Sequence, residues 1–192
     1  MVTKFSIPII LGTARKKRRS KNVALFVQKE AESYGFSSPL VDVADFLLKR
    51  TIPPSEYSKD QRIQKWKNVV TQADGFIFVV PEYNHGYPGE LKILLDSLYE
   101  EYKRKPVALC GVSDGPYGGT RMIESLKLVF STFGAVVIQK VLYVPFVGRV
   151  FDVKGKLLDE VYRKRLHALL GELFWYATIL SKERKMSHKK SL

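Results

Sequence analysis

Two uninterrupted apolar segments constrain the fold of this 192-residue chain more than any other feature. Residues 75–80 read GFIFVV and residues 106–112 read PVALCGV, and neither segment contains a charged residue. A strand with one solvated face alternates apolar and polar residues, whereas a strand covered on both faces does not. We therefore predict two central strands of a parallel sheet whose faces are both covered by helices.

Strand and helix patterns alternate along the rest of the chain. Apolar strands are predicted from Ile7 to Leu11, from Leu40 to Val43, and in one or two pieces between Ala135 and Val144. Helical spacing of apolar residues predicts helices over Ser20–Tyr34, Lys59–Gln72, Gly89–Tyr102, Thr120–Phe133 and Leu157–Leu180. Five such βα steps predict an α/β, flavodoxin-like, doubly wound fold in three layers, with a parallel five-stranded sheet of order 2-1-3-4-5.

Length and composition predict one domain over residues 1–180 and a basic, disordered tail over residues 181–192. The apolar segment from Phe5 to Leu11 is too short to span a bilayer, and no other segment approaches that length. We therefore expect a soluble cytoplasmic protein without membrane contact. Cys110 is the one cysteine, and the three histidines show no ligand spacing, so no metal site is expected.

The formal net charge of +13 raises the alternative of a nucleic-acid-binding module. Much of the charge lies in the tail and in the run Arg15–Lys21, which is also compatible with nuclear import. This run, however, connects a predicted strand to the N-terminus of a helix, where free N–H groups favour bound anions. Thr13, Arg15, Arg18 and Ser20 supply hydroxyl and guanidinium donors there, and their spacing suits one phosphate monoester. A nuclear-localisation run and a solvated basic loop are the alternatives at this point.

Two further loops of unusual composition follow the third and fourth predicted strands. In doubly wound folds ligands bind outside the carboxyl ends of the strands, so these loops are expected to meet the basic loop. The earlier one, PEYNHGYPG, combines aromatic and polar groups that suit a flat heterocycle. The later one, SDGPYGG, carries three glycines that allow the backbone to approach a ligand closely.

The three loops together resemble the NADPH-dependent FMN reductase family. The basic loop is similar to its G-[ST]-x-R-x-x-R-x-S pattern, the next to PEYN-x-x-x-PG-x-LK, and the last to S-x-G-x-x-GG. The resemblance implies phosphate contacts at the four basic-loop residues and contacts to the flavin ring elsewhere. The ring contacts fall on Pro81, Glu82, Tyr83 and Asn84, and the family's third-loop contacts to the cofactor fall on Ser113, Asp114 and Gly115.

This chain departs from the family pattern at two places. Asp114 stands where an aromatic residue is common, so a carboxylate is expected beside the flavin. Lys16 and Lys17 make the basic loop more cationic than usual, which favours a 2′-phosphorylated nicotinamide.

The resemblance implies an enzyme with bound FMN that uses NADPH or NADH as co-substrate. It would transfer electrons by a ping-pong hydride mechanism to a small-molecule acceptor, namely a quinone, an azo compound or free flavin. No side chain is nominated as a catalytic acid or base, while His85 and Tyr87 are candidates to line the acceptor pocket. The family also implies a homodimer or homotetramer. The alternatives are an FMN-binding redox sensor or electron carrier with little turnover.

Overall fold

A computed structural model describes residues 4–190 and contains one five-stranded sheet. The strands are β1 (Ile9–Leu11), β2 (Leu40–Asp42), β3 (Phe76–Pro81), β4 (Pro106–Val112) and β5 (Val136–Val144). The α-helices are α1 (Ser20–Tyr34), α2 (Gln61–Gln72), α3 (Gly89–Leu95), α4 (Thr120–Thr132) and α5 (Val161–Lys190). Short 3₁₀ turns connect several of them.

The sheet has the order β2-β1-β3-β4-β5, and all neighbouring strands are parallel. The predicted α/β fold and strand order are therefore confirmed. The central strands β3 and β4 pair over six residues, from Phe76 opposite Val107 to Pro81 opposite Val112. Every residue of β4 is buried, as the uninterrupted apolar segment predicts. The last strand is a single strand with an irregularity in its pairing near Val107 and Leu109.

Two apolar cores lie on opposite faces of the sheet and account for the three layers. One core packs α1 and α5 against the sheet and contains Val23, Phe26 and Leu170. The other packs α2, α3 and α4 and contains Trp66, whose indole N–H donates to the Tyr102 hydroxyl at 3.0 Å. Because both faces are covered, the ends of the strands are the natural places for a ligand.

Helix α3 is shorter than predicted, because it ends at Leu95 rather than at Tyr102. The Ser97 hydroxyl donates to the Leu94 carbonyl at 2.6 Å, and a separate 3₁₀ turn covers Glu100–Tyr102. Tyr102 is fully buried and stacks on Phe133, with ring centroids 5.0 Å apart. The chain leaves the helical path because this ring packs inside the core.

Helix α5 begins later and continues further than predicted. It starts at Val161 rather than Leu157, and it runs to Lys190 through most of the segment expected to be a disordered tail. The reason lies in the first turn beyond Leu180, where Ser181 is buried and the Arg184 guanidinium donates to the carbonyl of Arg104 at 2.8 Å. Only the end of the predicted tail, residues 191–192, lies outside the described residues.

Candidate active site

The three loops identified from the sequence line one cavity at the carboxyl ends of the strands. The loops follow β1, β3 and β4, and the cavity has a volume of about 740 Å³. This volume falls in the range of roughly 300–1,000 Å³ that small-molecule and cofactor sites have. The arrangement therefore suits a cofactor at the switch point of the sheet, between β1 and β3, where the strand order reverses.

The basic loop contributes two buried polar atoms without a hydrogen-bond partner. Within the described residues, nothing bonds Arg18 Nε or Ser20 Oγ, although both side chains line the cavity. The N-cap of α1 is Arg19, and no side-chain hydrogen bond caps that helix N-terminus in residues 4–190. Buried polar groups are nearly always hydrogen-bonded, so these atoms and the helix start are suited to hold an anion.

The remainder of the Arg18 guanidinium is held by the protein. Its terminal nitrogens pair with the Asp42 carboxylate at the end of β2 and donate to the Arg15 carbonyl at 3.2 Å. The neighbouring Lys17 has a φ of 55°, in the left-handed region that ordinary residues rarely adopt. The loop is therefore fixed by specific contacts before any ligand binds.

Thr13 organises the basic loop from inside. Its side chain is fully buried, its hydroxyl donates to Glu90 Oε1 at 3.0 Å, and it lies 3.0 Å from the Tyr83 hydroxyl. The same Glu90 oxygen accepts the Ala14 N–H at 2.9 Å. These bonds join the first loop, the second loop and the start of α3, and they fix the Tyr83 ring as a wall of the cavity. The Arg15 guanidinium lies 5.6 Å from the centre of that ring.

The second loop reverses direction in a two-residue turn. Tyr83 and Gly86 exchange backbone hydrogen bonds of 2.9 and 3.0 Å, and the central residues Asn84 and His85 have φ values of 49° and 68°. Positive φ at both central positions is the mark of a type I′ turn, in which asparagine is favoured at the first position. The turn places Asn84 and His85 on the cavity wall.

Glu82 joins the second loop to helix α4. One carboxylate oxygen accepts the backbone N–H groups of Arg121 and Met122 at 3.1 and 3.2 Å, so Glu82 caps the start of α4. The Glu82 N–H donates to the carbonyl of Val112 at 2.9 Å. Glu82 is therefore held against the end of β4 and the start of α4, the two elements that flank the third loop.

The third loop is shaped by Ser113 and by two glycines. The Ser113 hydroxyl donates to the Gly115 carbonyl at 2.8 Å and accepts the Gly118 N–H at 3.0 Å. Gly118 and Gly119 have φ values of 60° and 85°, which only glycine adopts without strain. Ser113 thus uses its hydroxyl to form the loop, and the exposed backbone around Gly115 faces the cavity.

The cavity is strongly cationic. Six arginine or lysine side chains line it against two carboxylates, those of Glu82 and Asp114. The cationic side chains are Arg15, Lys16, Lys17, Arg18, Arg19 and Arg121. Asp114 is 2.7 Å from Arg19 in an exposed ion pair at the rim. An anionic ligand is therefore favoured by the charge of the whole cavity as well as by individual contacts.

The structure brings ten of the eleven proposed binding residues to the cavity wall. These are Arg15, Arg18, Ser20, Pro81, Glu82, Tyr83, Asn84, Ser113, Asp114 and Gly115. Thr13 lies behind the wall, where its hydroxyl positions Tyr83 and accepts the Arg15 N–H at 3.2 Å. Of the two acceptor-pocket candidates, His85 lines the cavity, whereas Tyr87 packs against the core on the α2–α4 side.

Several residues of the site carry no local signal in the sequence. Asp42 and Glu90 hold the basic loop, yet each looks like an ordinary charged residue beside a strand or at a helix start. Tyr117, Arg121 and Val147 also line the cavity. Within residues 4–190, no group of acidic, histidine or cysteine side chains is arranged to hold a metal ion, and no helix has the length and apolar character to cross a bilayer.

Comparison with known proteins agrees with this geometry. The sequence pattern of the NADPH-dependent FMN reductase family matches residues 5–148, three quarters of the chain. The chain belongs to this family. At this level the predicted resemblance, the enzyme class of oxidoreductase, and FMN with NAD(P)H as its cofactors are confirmed.

Individual members of the FMN reductase family show the extent of the similarity. An NAD(P)H-dependent FMN reductase of Schizosaccharomyces pombe is 34% identical over 130 residues, which cover 64% of this chain and 64% of that protein. The match thus spans less than two thirds of that relative. An NADPH azoreductase of a Bacillus species is 29% identical and is matched over 92% of this chain and 95% of its own length.

A solved structure confirms the fold independently. The flavoenzyme NAD(P)H:acceptor oxidoreductase FerB from Paracoccus denitrificans superposes with a TM-score of 0.75 at 22% identity. The superposition covers 93% of this chain and 98% of FerB. At this level of identity the likeness establishes the flavodoxin-like architecture and leaves activity to be argued from the site.

Proposed function

We propose that the chain is an FMN-dependent NAD(P)H oxidoreductase that reduces a quinone, an azo compound or free flavin in a ping-pong cycle. The observation that carries this proposal is the pair of unbonded buried atoms, Arg18 Nε and Ser20 Oγ, at the uncapped start of α1. A phosphate monoester fits this donor set, and FMN carries one. The family pattern and the adjoining aromatic loop support FMN over other phosphate esters.

Each loop would have a distinct role toward FMN. Arg15, Arg18 and Ser20 would bind the phosphate, while Thr13 holds the loop in place through Glu90. Pro81, Glu82, Tyr83 and Asn84 would line one edge of the flavin ring, and Ser113, Asp114 and Gly115 the other. When bound, FMN would supply the redox chemistry by accepting a hydride from NAD(P)H and passing two electrons to the acceptor.

The protein's own contribution would be binding and orientation. The contacts of Glu82 with α4 and of Tyr83 with Thr13 fix both sides of the cavity without a ligand. Such preorganisation reduces the entropy lost when the cofactor and the second substrate are aligned. One cavity would receive the nicotinamide and the acceptor in turn, which is the structural basis of a ping-pong cycle.

The test is an absorbance spectrum of the purified protein after loading with FMN and removal of the excess, followed by anaerobic NADPH and then a quinone. Stoichiometric FMN that bleaches with NADPH and recovers with the quinone is the expected result. Bound FMN that does not bleach would favour a carrier or sensor. Failure to retain FMN would contradict the proposal and return attention to nucleic acid as a ligand of the basic cavity.

We also propose a homodimer or homotetramer and a cytoplasmic location. Leu128 on α4 is 73% exposed and Trp175 on α5 is 58% exposed, so both helices offer apolar side chains to an interface. Size-exclusion chromatography with light scattering tests the assembly, and a monomer at micromolar concentration would contradict it. Cell fractionation tests the location.

A further inference from the structure

An arginine and a tyrosine outside the basic loop form an exposed pair on the cavity wall. Arg121, in the first turn of α4, lies with its guanidinium 4.8 Å from the centre of the Tyr117 ring. Both side chains line the cavity, and Tyr117 is 60% exposed. The backbone N–H of Arg121 is bonded to Glu82, so the pair is attached to the loop proposed to line the flavin ring.

The charge of Arg121 is only loosely compensated. Its guanidinium is 4.0 Å from Glu82, whose other oxygen already accepts two backbone N–H groups. Its side chain is 46% exposed. By contrast, Lys127 on the same helix pairs with Glu124 at 2.8 Å. Arginine presents five N–H donors in a planar fork, so Arg121 retains the capacity to bind an anionic group in the cavity.

We propose that Tyr117 and Arg121 form a recognition surface for a substrate that binds beside FMN, specific for an aromatic ring with an anionic group on it or close to it. The inference rests on the proposed function, because in a ping-pong cycle NAD(P)H and the acceptor must each enter the cavity beside the flavin loops. The Tyr117 ring offers a stacking face, and the Arg121 guanidinium offers charge-assisted hydrogen bonds. Other cationic side chains on the wall add a general attraction for the same anions.

Two substrates carry this chemistry. One is the adenine ring of NADPH with its neighbouring 2′-phosphate, and the other is an aromatic acceptor with a sulfonate or carboxylate. Both present a flat ring with an anionic group close to it, carried by the attached ribose in NADPH and by the ring itself in the acceptor. The surface would therefore favour NADPH over NADH, or sulfonated acceptors over neutral ones, and separate measurement of the two half-reactions distinguishes these sources.

The first experiment measures binding directly. Calorimetric titrations compare naphthalene-2-sulfonate with neutral 2-naphthol on the FMN-loaded protein, on Arg121→Gln, on Arg121→Lys and on the control Lys127→Gln. We expect the preference for the sulfonate to fall about tenfold in Arg121→Gln, to be largely retained in Arg121→Lys, and to be unchanged in the control. An equal preference in the original protein and Arg121→Gln would overturn the proposal.

The second experiment identifies the source of the anion. Stopped-flow bleaching of the flavin is measured with NADPH and NADH, and reoxidation is measured with 1,4-naphthoquinone-2-sulfonate and menadione. A charge-selective loss in Arg121→Gln during reduction assigns the NADPH phosphate, and a charge-selective loss during reoxidation assigns the acceptor. Equal losses for charged and neutral partners in both halves would show a structural role and reject the inference.

The design separates this inference from the proposed function. If the protein retains no FMN, the proposed function fails, and calorimetry on the protein as purified still reports whether Arg121 selects the sulfonate. If FMN is retained and bleaches but the sulfonate preference does not depend on Arg121, only the recognition surface is rejected.

Discussion

Two residues of the basic loop, Arg18 and Ser20, each have a buried polar atom without a hydrogen-bond partner on the cavity wall. Three buried side-chain atoms in the described part of the chain lack a hydrogen-bond partner, namely Arg18 Nε, Ser20 Oγ and Ser38 Oγ. Two of them belong to the basic loop on the cavity wall, whereas Ser38 does not line it. Leaving such an atom unbonded costs about 1–3 kcal/mol, which a bound phosphate in the basic loop would recover.

Substitution of Ser20 tests this interpretation with a control of the same chemistry. We expect Ser20→Ala to raise the FMN dissociation constant about tenfold, because the hydroxyl would no longer donate to the phosphate. Ser38→Ala removes an equally buried and unbonded hydroxyl and should leave the constant unchanged. Fluorescence titration of FMN measures both. Equal constants in the two variants would remove Ser20 from the phosphate site.

The sequence predicted residue types at the site better than their connections. The structure brings Arg15, Arg18 and Ser20 of the basic loop to the cavity wall, and the sequence pointed to them because a strand, a basic loop and a helix follow one another directly. The partners that hold the loop were missed because they are remote in the chain, with Glu90 separated from Ala14 by 76 positions. Thr13 was proposed as a phosphate ligand, and its 0% exposure could be known only once Glu90 and Tyr83 were placed.

At the scale of elements, the third loop depends on the absence of a side chain in β4. A Cβ on Gly111 would lie 2.3 Å from the Gly118 carbonyl oxygen, too close for any atom. A Cβ on Gly115, in the loop itself, would meet nothing within 4 Å. The loop can therefore pack onto the end of β4 only because residue 111 is glycine.

These two glycines give a matched pair of variants. We expect Gly111→Ala to lower the free energy of unfolding by about 2–3 kcal/mol, because backbone must move to admit the methyl group. Gly115→Ala should change it by less than about 1 kcal/mol, since the space is open. Urea denaturation measures both values. A small effect of Gly111→Ala would show that the loop and strand separate easily.

The end of α5 is a second element whose contacts decide its length. Arg184 donates to the carbonyl of Arg104 and lies 3.5 Å from Asp74, at the amino ends of β4 and β3. Composition alone predicted a disordered tail because the segment is basic and contains few apolar residues. Composition cannot show that Arg184 in this segment contacts a carbonyl oxygen and a carboxylate at the amino ends of the strands.

Truncation separates the anchored part of α5 from the rest. Deleting residues 183–192 should lower the free energy of unfolding by about 1–2 kcal/mol through loss of the Arg184 hydrogen bonds. The affinity for FMN should stay within about twofold of that of the full chain, because the cavity lies at the opposite ends of the strands. Deleting residues 187–192 retains Arg184 and serves as the control. A loss of FMN binding in the longer truncation would connect the tail to the site.

At the scale of the whole molecule, the carboxyl ends and the amino ends of the parallel strands have different roles. The cationic cavity lies at the carboxyl ends of the strands, and its loops contain residues with positive φ and buried atoms without partners. At the amino ends of the strands, direct hydrogen bonds hold the neighbouring elements together. Lys105 is an example, because its Nζ donates to the carbonyls of Val70 and Thr71 at the end of α2. The strand order predicted at which ends of the strands the cavity lies. The polar contacts at the other ends join residues far apart in the chain, so the sequence did not reveal them.

Lys105 makes the stability of the molecule depend on pH in the alkaline range. The pKa of Lys105 is lowered to about 8, mainly because the side chain is buried. Repulsion by Arg184 lowers this pKa further, and attraction by Asp74 opposes the shift. The unfolded chain, with an ordinary lysine pKa of about 10.4, binds more protons between these two values. The free energy of unfolding should therefore rise with pH across this window, and below it the charged, buried lysine costs stability.

Comparison with Lys105→Met isolates this contribution, because methionine fills similar space and does not titrate. Between about pH 7 and pH 10, the free energy of unfolding of the original protein should rise relative to the variant by about 2 kcal/mol. Burial also raises the pKa of Tyr102, but both proteins contain that residue and its effect cancels in the difference. Urea denaturation at several pH values gives the slope. If the difference in the free energy of unfolding between the two proteins stays constant with pH, Lys105 keeps an ordinary pKa and water reaches the amino ends of the strands.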